Sequence, residues 1–454
     1  MTPAPMALPQ AAETILARLR DAGYSAYIVG GSVRDSLRGV LPHDYDMTTD
    51  ATPEEMHEVF RDYRLIDTGI RHGTVAVMMN REQYEITTFR VDGDYLDCRH
   101  PDSVSFTRSL REDLARRDFT MNAIAYSPED GYQDPFGGIM DIERGIIRAV
   151  GDPETRFRED ALRILRALRF SATLGFEIEE ETARAASHTR ELIKNVSRER
   201  IRDELMKLLA GEHCIEVLRR FPDILATVIP ALAPLYDCPQ NSLYHLYPVW
   251  EHTLRVVEGL ANQPPLLRLV GLLHDVGKPA CRTTDAKGKD HFKGHPEVSA
   301  EIVEGVMRDL RFDNKNRETA VLLTRIHDLR IPPREADVLR LLSEIGYENF
   351  LLWNDLQRAD NNAHDPSNPV IIRGKQNIAA IRRLGEELQS RGACYRLTDL
   401  ALTGKDILAE TCLTGKAVGE ALGLLLGAVM DGRVTNTREA LLLYLRTEIL
   451  PTLS

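Results

Sequence analysis

Asp44 and Asp46 stand one residue apart in the stretch His43-Asp44-Tyr45-Asp46. Read as a strand, residues two apart project from one face, which would set the two carboxylates side by side. Like charges that close repel each other, and a divalent cation offsets the repulsion. Mg2+ takes carboxylates together with substrate phosphate oxygens, and a metal pair can hold both the attacking and the leaving oxygen of a phosphoryl transfer. Upstream lies Gly30-Gly31-Ser32-Val33-Arg34-Asp35. Its glycines, Gly31 among them, let the backbone approach a ligand, the helix that follows offers N–H groups to phosphate, and Arg34 adds a fixed positive fork. A Gly-Gly turn or an Asp-x-Asp pair carries little alone; the two in this order point to nucleotide chemistry. Glu85 reads either as a third acid or as a solvent-facing strand residue.

Two further sets carry chemistry. Asp160, Arg163, Arg166 and Arg169 recur every three residues, with Leu162, Ile164, Leu165, Leu168 and Phe170 between them. The spacing predicts one helix with a buried side and a winding polar stripe. Read alone, the stripe is a solvated face with a weak ion pair. The second set is scattered: His252, the pair His274-Asp275 followed by Gly277-Lys278-Pro279, His295, His327 and Asp360. Imidazoles and carboxylates in this order suit a divalent metal centre with open water positions. His252, His274, Asp275 and Asp360 form the basic set, and His295 and His327 extend it toward a second ion.

These side chains need a scaffold. Tyr24–Val29, Thr74–Met79 and Gln83–Phe89 are rich in Val, Ile, Thr and aromatics and read as strands, with Asn80-Arg81-Glu82 as a hairpin loop. Residues 92–108 have no period and read as a mobile loop. Beyond Gly151-Asp152-Pro153 the apolar spacing becomes helical, over Glu159–Phe170, Glu179–Ile193 and Arg198–Leu209, and helices alone are expected from there to the end. Proline-rich stretches near 235–245 and 365–369 divide the helical part, giving expected domains at 1–150, 151–235, 240–370 and 371–454.

The chain has 454 residues, 28% of them charged, and a net charge of −12. That mix is globular, and no apolar run approaches the ~20 residues that span a bilayer. The net charge argues against nonspecific coating of nucleic acid but leaves room for a local basic site. Six cysteines are widely spaced with no C-x-x-C pair, as expected of free thiols in a reducing cytoplasm.

Gly30-Gly31-Ser32-Val33-Arg34-Asp35 with Asp44-x-Asp46 resembles the signature of class II CCA-adding tRNA nucleotidyltransferases and bacterial poly(A) polymerases, within the DNA polymerase β-like superfamily. The resemblance continues in order through Thr87-Thr88-Phe89-Arg90, Arg116-Arg117-Asp118-Phe119-Thr120-Met121-Asn122-Ala123, Asp134-Pro135-Phe136-Gly137-Gly138 and Arg148-Ala149-Val150-Gly151-Asp152-Pro153. It reaches Glu159-Asp160-Ala161-Leu162-Arg163, similar to the family's nucleotide-selecting E-D-x-x-R. The order H…HD…H…H…D resembles the HD phosphohydrolases. What the resemblance implies is an α/β nucleotidyltransferase head followed by an all-α neck, HD domain and tail. Asp44 and Asp46 would hold Mg2+. Gly31, Arg34, Arg117, Asp160, Arg163, Arg166 and Arg169 would hold CTP or ATP, with Asp160 and Arg163 reading the base edge. The product would be the 3′-terminal CCA of tRNA, with pyrophosphate released. His252, His274, Asp275, His295, His327 and Asp360 would hold a divalent transition metal for an accessory phosphohydrolase. The alternatives are a poly(A) polymerase or a CC- or A-adding enzyme of the same family. The long polar loop at 92–108 leans against a CC-only enzyme. A signalling HD phosphohydrolase is a further alternative, disfavoured because here the transferase precedes the HD region.

Overall fold

The computed structural model describes residues 3–70, 73–93, 104–242 and 244–453. Two compact units divide the chain, Met1–Pro230 and Ala231–Ser454. The first is a mixed α/β head followed by helices; the second is almost wholly helical.

Seven strands of the head form one sheet: β1 (Ala26–Val29), β2 (Met47–Thr49), β3 (Arg64–Gly69), β4 (Thr74–Met79), β5 (Glu82–Thr88) and, after a separate two-stranded pair, β8 (Ala125–Ser127) and β9 (Gly131–Gln133). The spatial order is β3-β4-β5-β2-β1-β8-β9. Only the β2–β5 pairing is parallel; the rest are antiparallel. β4 and β5 lie where the sequence predicts them. Asn80 and Arg81 take positive φ (53° and 70°) in the tight turn between them, the conformation a two-residue hairpin needs. On β5, Tyr84, Ile86 and Thr88 are buried while Glu85 is exposed, the alternation of a sheet with one covered face.

Four expectations are corrected. Asp44 and Asp46 are not within a strand: β2 begins at Met47, and they lie on the irregular segment leading into it. The Asp46 carbonyl still accepts a hydrogen bond from the Val29 N–H (3.0 Å), so the segment is fastened to β1. Residues 92–108 are not wholly loop, because β6 (Arg90–Asp92) pairs with β7 (Val104–Phe106); the part at 94–103 lies outside the described residues. The helix expected over Glu159–Phe170 is two helices, Pro153–Glu159 and Leu162–Leu174, broken at Asp160, whose φ and ψ (−138°, 102°) are extended. Finally, small strands occur late in the chain: β10 (Ile146–Ile147) pairs with β11 (Glu177–Ile178), and β12 (Thr283–Thr284) with β13 (Asp290–His291). Strands of two residues carry too little pattern to be seen in a sequence.

Local sequence explains how the head motifs meet. The Asp134 carboxylate accepts from the Gly138 and Ile139 N–H groups (2.7 and 2.9 Å), capping the helix Gly138–Arg144. A Cβ on Gly138 would lie 2.1 Å from the Thr120 carbonyl oxygen. Glycine there lets the Asp134 turn pack directly on the backbone of the Arg116–Ala123 segment. That contact fixes Arg117, Asp118 and Asn122 relative to the sheet.

In the second unit the helices Val249–Gly259, Pro265–Leu273, His295–Asp309, Asn314–Arg325 and Glu335–Asn362 surround a cluster of histidines. Glu335–Asn362 breaks at Gly346, whose φ of 76° no helix contains. The tail has its own core of Leu402, Ile407, Ala421, Leu425, Leu441 and Leu445. Among the described residues no helix is long and apolar enough to cross a membrane.

Candidate functional site

All nine head residues picked out from the sequence line one cavity of about 550 Å3: Gly31, Arg34, Asp44, Asp46, Arg117, Asp160, Arg163, Arg166 and Arg169. Seven arginines and four aspartates border it, an excess of positive charge suited to a triphosphate. Gly30, at φ 76° and ψ −132°, turns the chain from β1 into the helix Gly31–Leu37, a conformation that only glycine adopts without strain. A Cβ there would press on Arg117 Nη1 (3.3 Å), so the turn and this arginine share the cavity wall.

Asp46 opens onto the cavity yet is crowded by protein. Burial pushes its carboxyl above the ordinary value, Asp44 and Glu85 raise it further, and only Arg117 opposes them. Three acids repelling one another around Asp46 is the electrostatic condition that a divalent cation relieves. Glu85 is thus coupled to the pair from the neighbouring strand.

The arginines are held in place by partners, several of which the sequence reading did not assign. Arg34 donates to both oxygens of Asp35 and to Asn122 Oδ1 (2.9 Å). Arg117 and Arg116 divide the two oxygens of the buried Asp113. Arg163 donates to Glu159 (2.7 Å) and to the carbonyls of Arg156 and Arg116 (3.2 and 2.8 Å). Arg166 makes a forked contact with Asp118 Oδ2 (2.8 and 2.6 Å). Arg169 pairs with Glu204 and lies over the Phe170 ring. Asp160 accepts from the Leu162 N–H (3.1 Å), which starts the second helix, and from Arg200 Nη2 (2.9 Å). Arg200 is the cavity cation the sequence did not reveal, since it stands on another helix, Arg198–Ala210.

Asp118 anchors this network. Burial alone would raise its carboxyl, but Arg166, Asn122 and Arg163 pull it from 3.8 down to about 2. A carboxyl depressed on folding stabilises above its unfolded value and loses that contribution as pH falls through the folded one. The shift corresponds to roughly 2 kcal/mol. The stability difference between the native chain and Asp118→Asn should therefore be constant above about pH 5 and shrink between pH 4 and 2. Denaturant unfolding across that range, followed in the head, measures it; a pH-independent difference would contradict the assignment.

The six residues of the second set also converge. Asp275 is central: His274 Nε2 lies 3.1 Å from Oδ2 and His252 Nε2 3.6 Å, while His295 and His327 Nε2 lie 3.2 and 3.6 Å from Oδ1. Asp360 Oδ1 is 3.1 Å from His252 Nε2 and 3.9 Å from His274 Nε2. The Nδ1 atoms of His274, His295 and His327 point at the carbonyls of Gly271, Phe292 and Thr324 (2.7, 2.8 and 2.6 Å). With those protons engaged, the Nε2 atoms present lone pairs inward, as second-sphere partners arrange for metal-binding histidines. His295 and His327 Nε2 are only 3.1 Å apart. Lone pairs facing each other beside a carboxylate require a proton or a cation between them, so these donors fit a metal. His274 Nε2 and Asp275 Oδ2, both buried, make no directed hydrogen bond, although Lys278 Nζ approaches Oδ2 to 2.6 Å. Burial lowers His252 to about 4, leaving it neutral as a ligand must be. Burial opposes ionisation of Asp275 and Asp360, yet the surrounding cationic and imidazole groups hold both well below the usual carboxylate range.

Gly277 explains part of this packing. A Cβ there would meet Ser299 N at 2.6 Å and the His295 carbonyl at 2.8 Å. The turn after His274-Asp275 thereby abuts the helix carrying His295. The cleft, about 600 Å3, also contains Lys278, which follows the HD pair in sequence, and His245, His364 and Arg330, which the sequence order did not mark. His364 was detectable, standing one helical turn past Asp360. His245 lies on an irregular segment with no period to betray it.

Three family models match in order: the Poly A polymerase head domain over residues 26–148, the Probable RNA and SrmB- binding site of polymerase A over 175–234, and the HD domain over 243–353. A CCA-adding enzyme of Lactobacillus delbrueckii subsp. bulgaricus is 47% identical over 431 residues, 95% of this chain and 96% of that relative. The chain belongs to the CCA-adding enzyme family. The CCA-adding enzyme of Lactobacillus helveticus is 48% identical over 235 residues, 52% of this chain and 57% of its own length. The chain thus aligns with little more than half the length of several curated relatives. Among solved structures, the Bacillus stearothermophilus CCA-adding enzyme in complex with CTP matches at a TM-score of 0.68 and 31% identity, covering 96% of each chain. Head, helices and HD region therefore follow the family's architecture throughout.

Proposed function

We propose that this chain builds or repairs the 3′-terminal CCA of tRNA from CTP and ATP, releasing pyrophosphate. The observation that carries the reading is the single cavity in which Asp44 and Asp46 face seven arginines. Asp44 and Asp46 would hold Mg2+, which when bound neutralises a triphosphate and favours ionisation of the attacking 3′-hydroxyl. Arg34, Arg117, Arg166 and Arg169 bind and orient the triphosphate and sugar. Asp160 and Arg163 select the base: a carboxylate accepts from the amino group that cytosine and adenine share and uracil lacks. Helices beyond 175 carry the acceptor arm by backbone and shape. The division into head (1–150), neck (151–235), HD domain (240–370) and tail (371–454), and a cytoplasmic setting, belong to the same proposal. Sequencing the 3′ ends formed on a tRNA lacking CCA, with CTP and ATP offered singly and together, tests it. CCA ends only with both nucleotides support the reading; poly(A), CC-only or A-only ends replace it with a narrower relative.

Asp160→Ala tests base selection. It should lower use of CTP and ATP and raise the relative use of UTP. A base that brings a carbonyl toward this carboxylate gains no bond there and sets two acceptors against each other, and sites that recognise a hydrogen-bonding group reject analogues lacking it by factors that can reach about 10^4. Removing the carboxylate removes that penalty. Ratios of kcat/KM among the three nucleotides report it, and unchanged ratios would place selection elsewhere.

A second reading concerns the HD cleft, favoured by its facing lone pairs. There, His252, His274, Asp275 and Asp360, with His295 and His327 for a second ion, would hold a divalent transition metal. Bound there, the metal would supply Lewis-acid activation of a phosphate ester. Lys278 and Arg330 lie on the cleft wall, where they would orient an anionic substrate.

A further inference from the structure

His245 and His364 lie outside the H…HD…H…H…D order, yet both turn into the HD cleft. His364 donates from Nδ1 to the Asp360 carbonyl (2.7 Å), which leaves its Nε2 lone pair free. His245 stands on the irregular segment before the helix Val249–Gly259. That segment is fastened beside His364 by the Asp365 N–H, which donates to the Tyr244 carbonyl (3.0 Å). The two imidazole rings lie 4.3 Å apart, and the His252 ring is 5.1 and 4.9 Å from them. One nitrogen of each residue falls within 4.8 Å of those of the other two. Two further observations point to a ligand. Nδ1 of His245 and Nδ1 of His252 are enclosed and have no hydrogen-bond partner. His252 itself is only 1% exposed, so bulk solvent does not reach it. Lys278, on the same cleft, is engaged by Asp275 and by Gln240 Oε1 (2.7 Å), so its charge is already compensated.

We propose that His245, His252 and His364 form a metal position of their own, distinct from those around Asp275. The inference rests on the HD reading, because His252 borders both: a neutral imidazole has one lone pair, so His252 would serve the two positions together, with Nδ1 here and Nε2 beside Asp275, as an imidazolate whose proton is released to solvent when the second ion binds. Three imidazoles without a carboxylate favour a borderline ion such as Zn2+, Ni2+ or Co2+ over Mg2+. Three protein ligands leave a fourth position open on the cleft side. The cleft thereby holds up to three cations, one of them on an all-nitrogen donor set.

The test uses the full chain carrying Asp44→Asn and Asp46→Asn, so that ions at the head do not count. The protein is stripped with a chelator and titrated with Ni2+ and, separately, Co2+. Bound metal is counted by elemental analysis after gel filtration, and the Co2+ absorption spectrum is recorded. Adding His245→Gln and His364→Gln should lower the count by one equivalent and remove one component of the Co2+ spectrum. The remaining equivalents should persist, which also shows that the cleft is still folded. An unchanged count and spectrum would overturn this inference and leave the HD reading standing. Loss of every ion in that variant would also overturn it, since the histidines would then belong to a single shared centre. A parent chain that binds no ion would bring down the HD metal reading and this inference together.

Discussion

Asp44→Asn and Asp46→Asn should each cut nucleotide addition by about a thousandfold or more while leaving the head folded. A cation at a phosphoryl-transfer centre supplies several kcal/mol of transition-state stabilisation, and each 1.36 kcal/mol is tenfold in rate. Folding should survive because Asp46 fastens its segment through its carbonyl, which accepts from the Val29 N–H, and not through its side chain. The carboxyl is already pushed upward by burial, Asp44 and Glu85, so removing one negative charge relieves repulsion. Thermal unfolding should therefore be unchanged or slightly raised in the same samples that have lost activity. Addition at the native rate by either variant would sink the metal assignment; a parallel loss of stability would mean that the acids serve the fold.

His274→Gln should empty the basic HD position and abolish metal-dependent hydrolysis of 2′,3′-cyclic phosphates and nucleotide phosphates, with CCA addition retained. His274 is wholly buried, so Asp275→Asn serves as an independent probe. Asp275 lies within 4 Å of His252, His274, His295, His327 and Lys278, so losing its charge should affect both positions around it. Ligands of one ion act as a unit, so the double variant should be no worse than the more severe single one. Metal content and hydrolysis are measured together with Mn2+, Ni2+, Co2+ or Mg2+ supplied. A chain that hydrolyses normally without His274, or a native chain that binds none of these ions, contradicts the reading. Such an activity would suit its neighbour, since a tRNA ending in phosphate offers no 3′-hydroxyl to extend.

Most of the head cavity was legible in the sequence because its residues sit in short ordered motifs, each tied to a turn, the approach to a strand, or the helix Leu162–Leu174. What was not legible depended on tertiary pairing. Arg200 meets Asp160 across two helices, and Asp113 reaches Arg117 from one turn away on an element with no motif of its own. The break at Asp160 was hidden because it falls one residue past the start of the expected span: the apolar period belongs to the helix after it, and the helix before it buries only Phe157. β3, β8 and β9 were missed for a different reason: β8 and β9 are three residues each, and β3 mixes Arg64 and Asp67 with few apolar positions. In the HD region the histidines were legible by order, whereas His245 was brought in by a backbone hydrogen bond that no pattern announces.

The pair between Asp160 and Arg200 has a consequence for how the cavity discriminates. Without nucleotide, the carboxylate already accepts a charge-assisted bond from Arg200 (2.9 Å), so the empty site contains an internal competitor. A base that takes this carboxylate must exchange one bond for another, and only the surplus of that exchange appears as affinity. The arrangement therefore works as a threshold. A base with a well-aimed amino group clears it, and one that offers a carbonyl leaves the resident pair in possession.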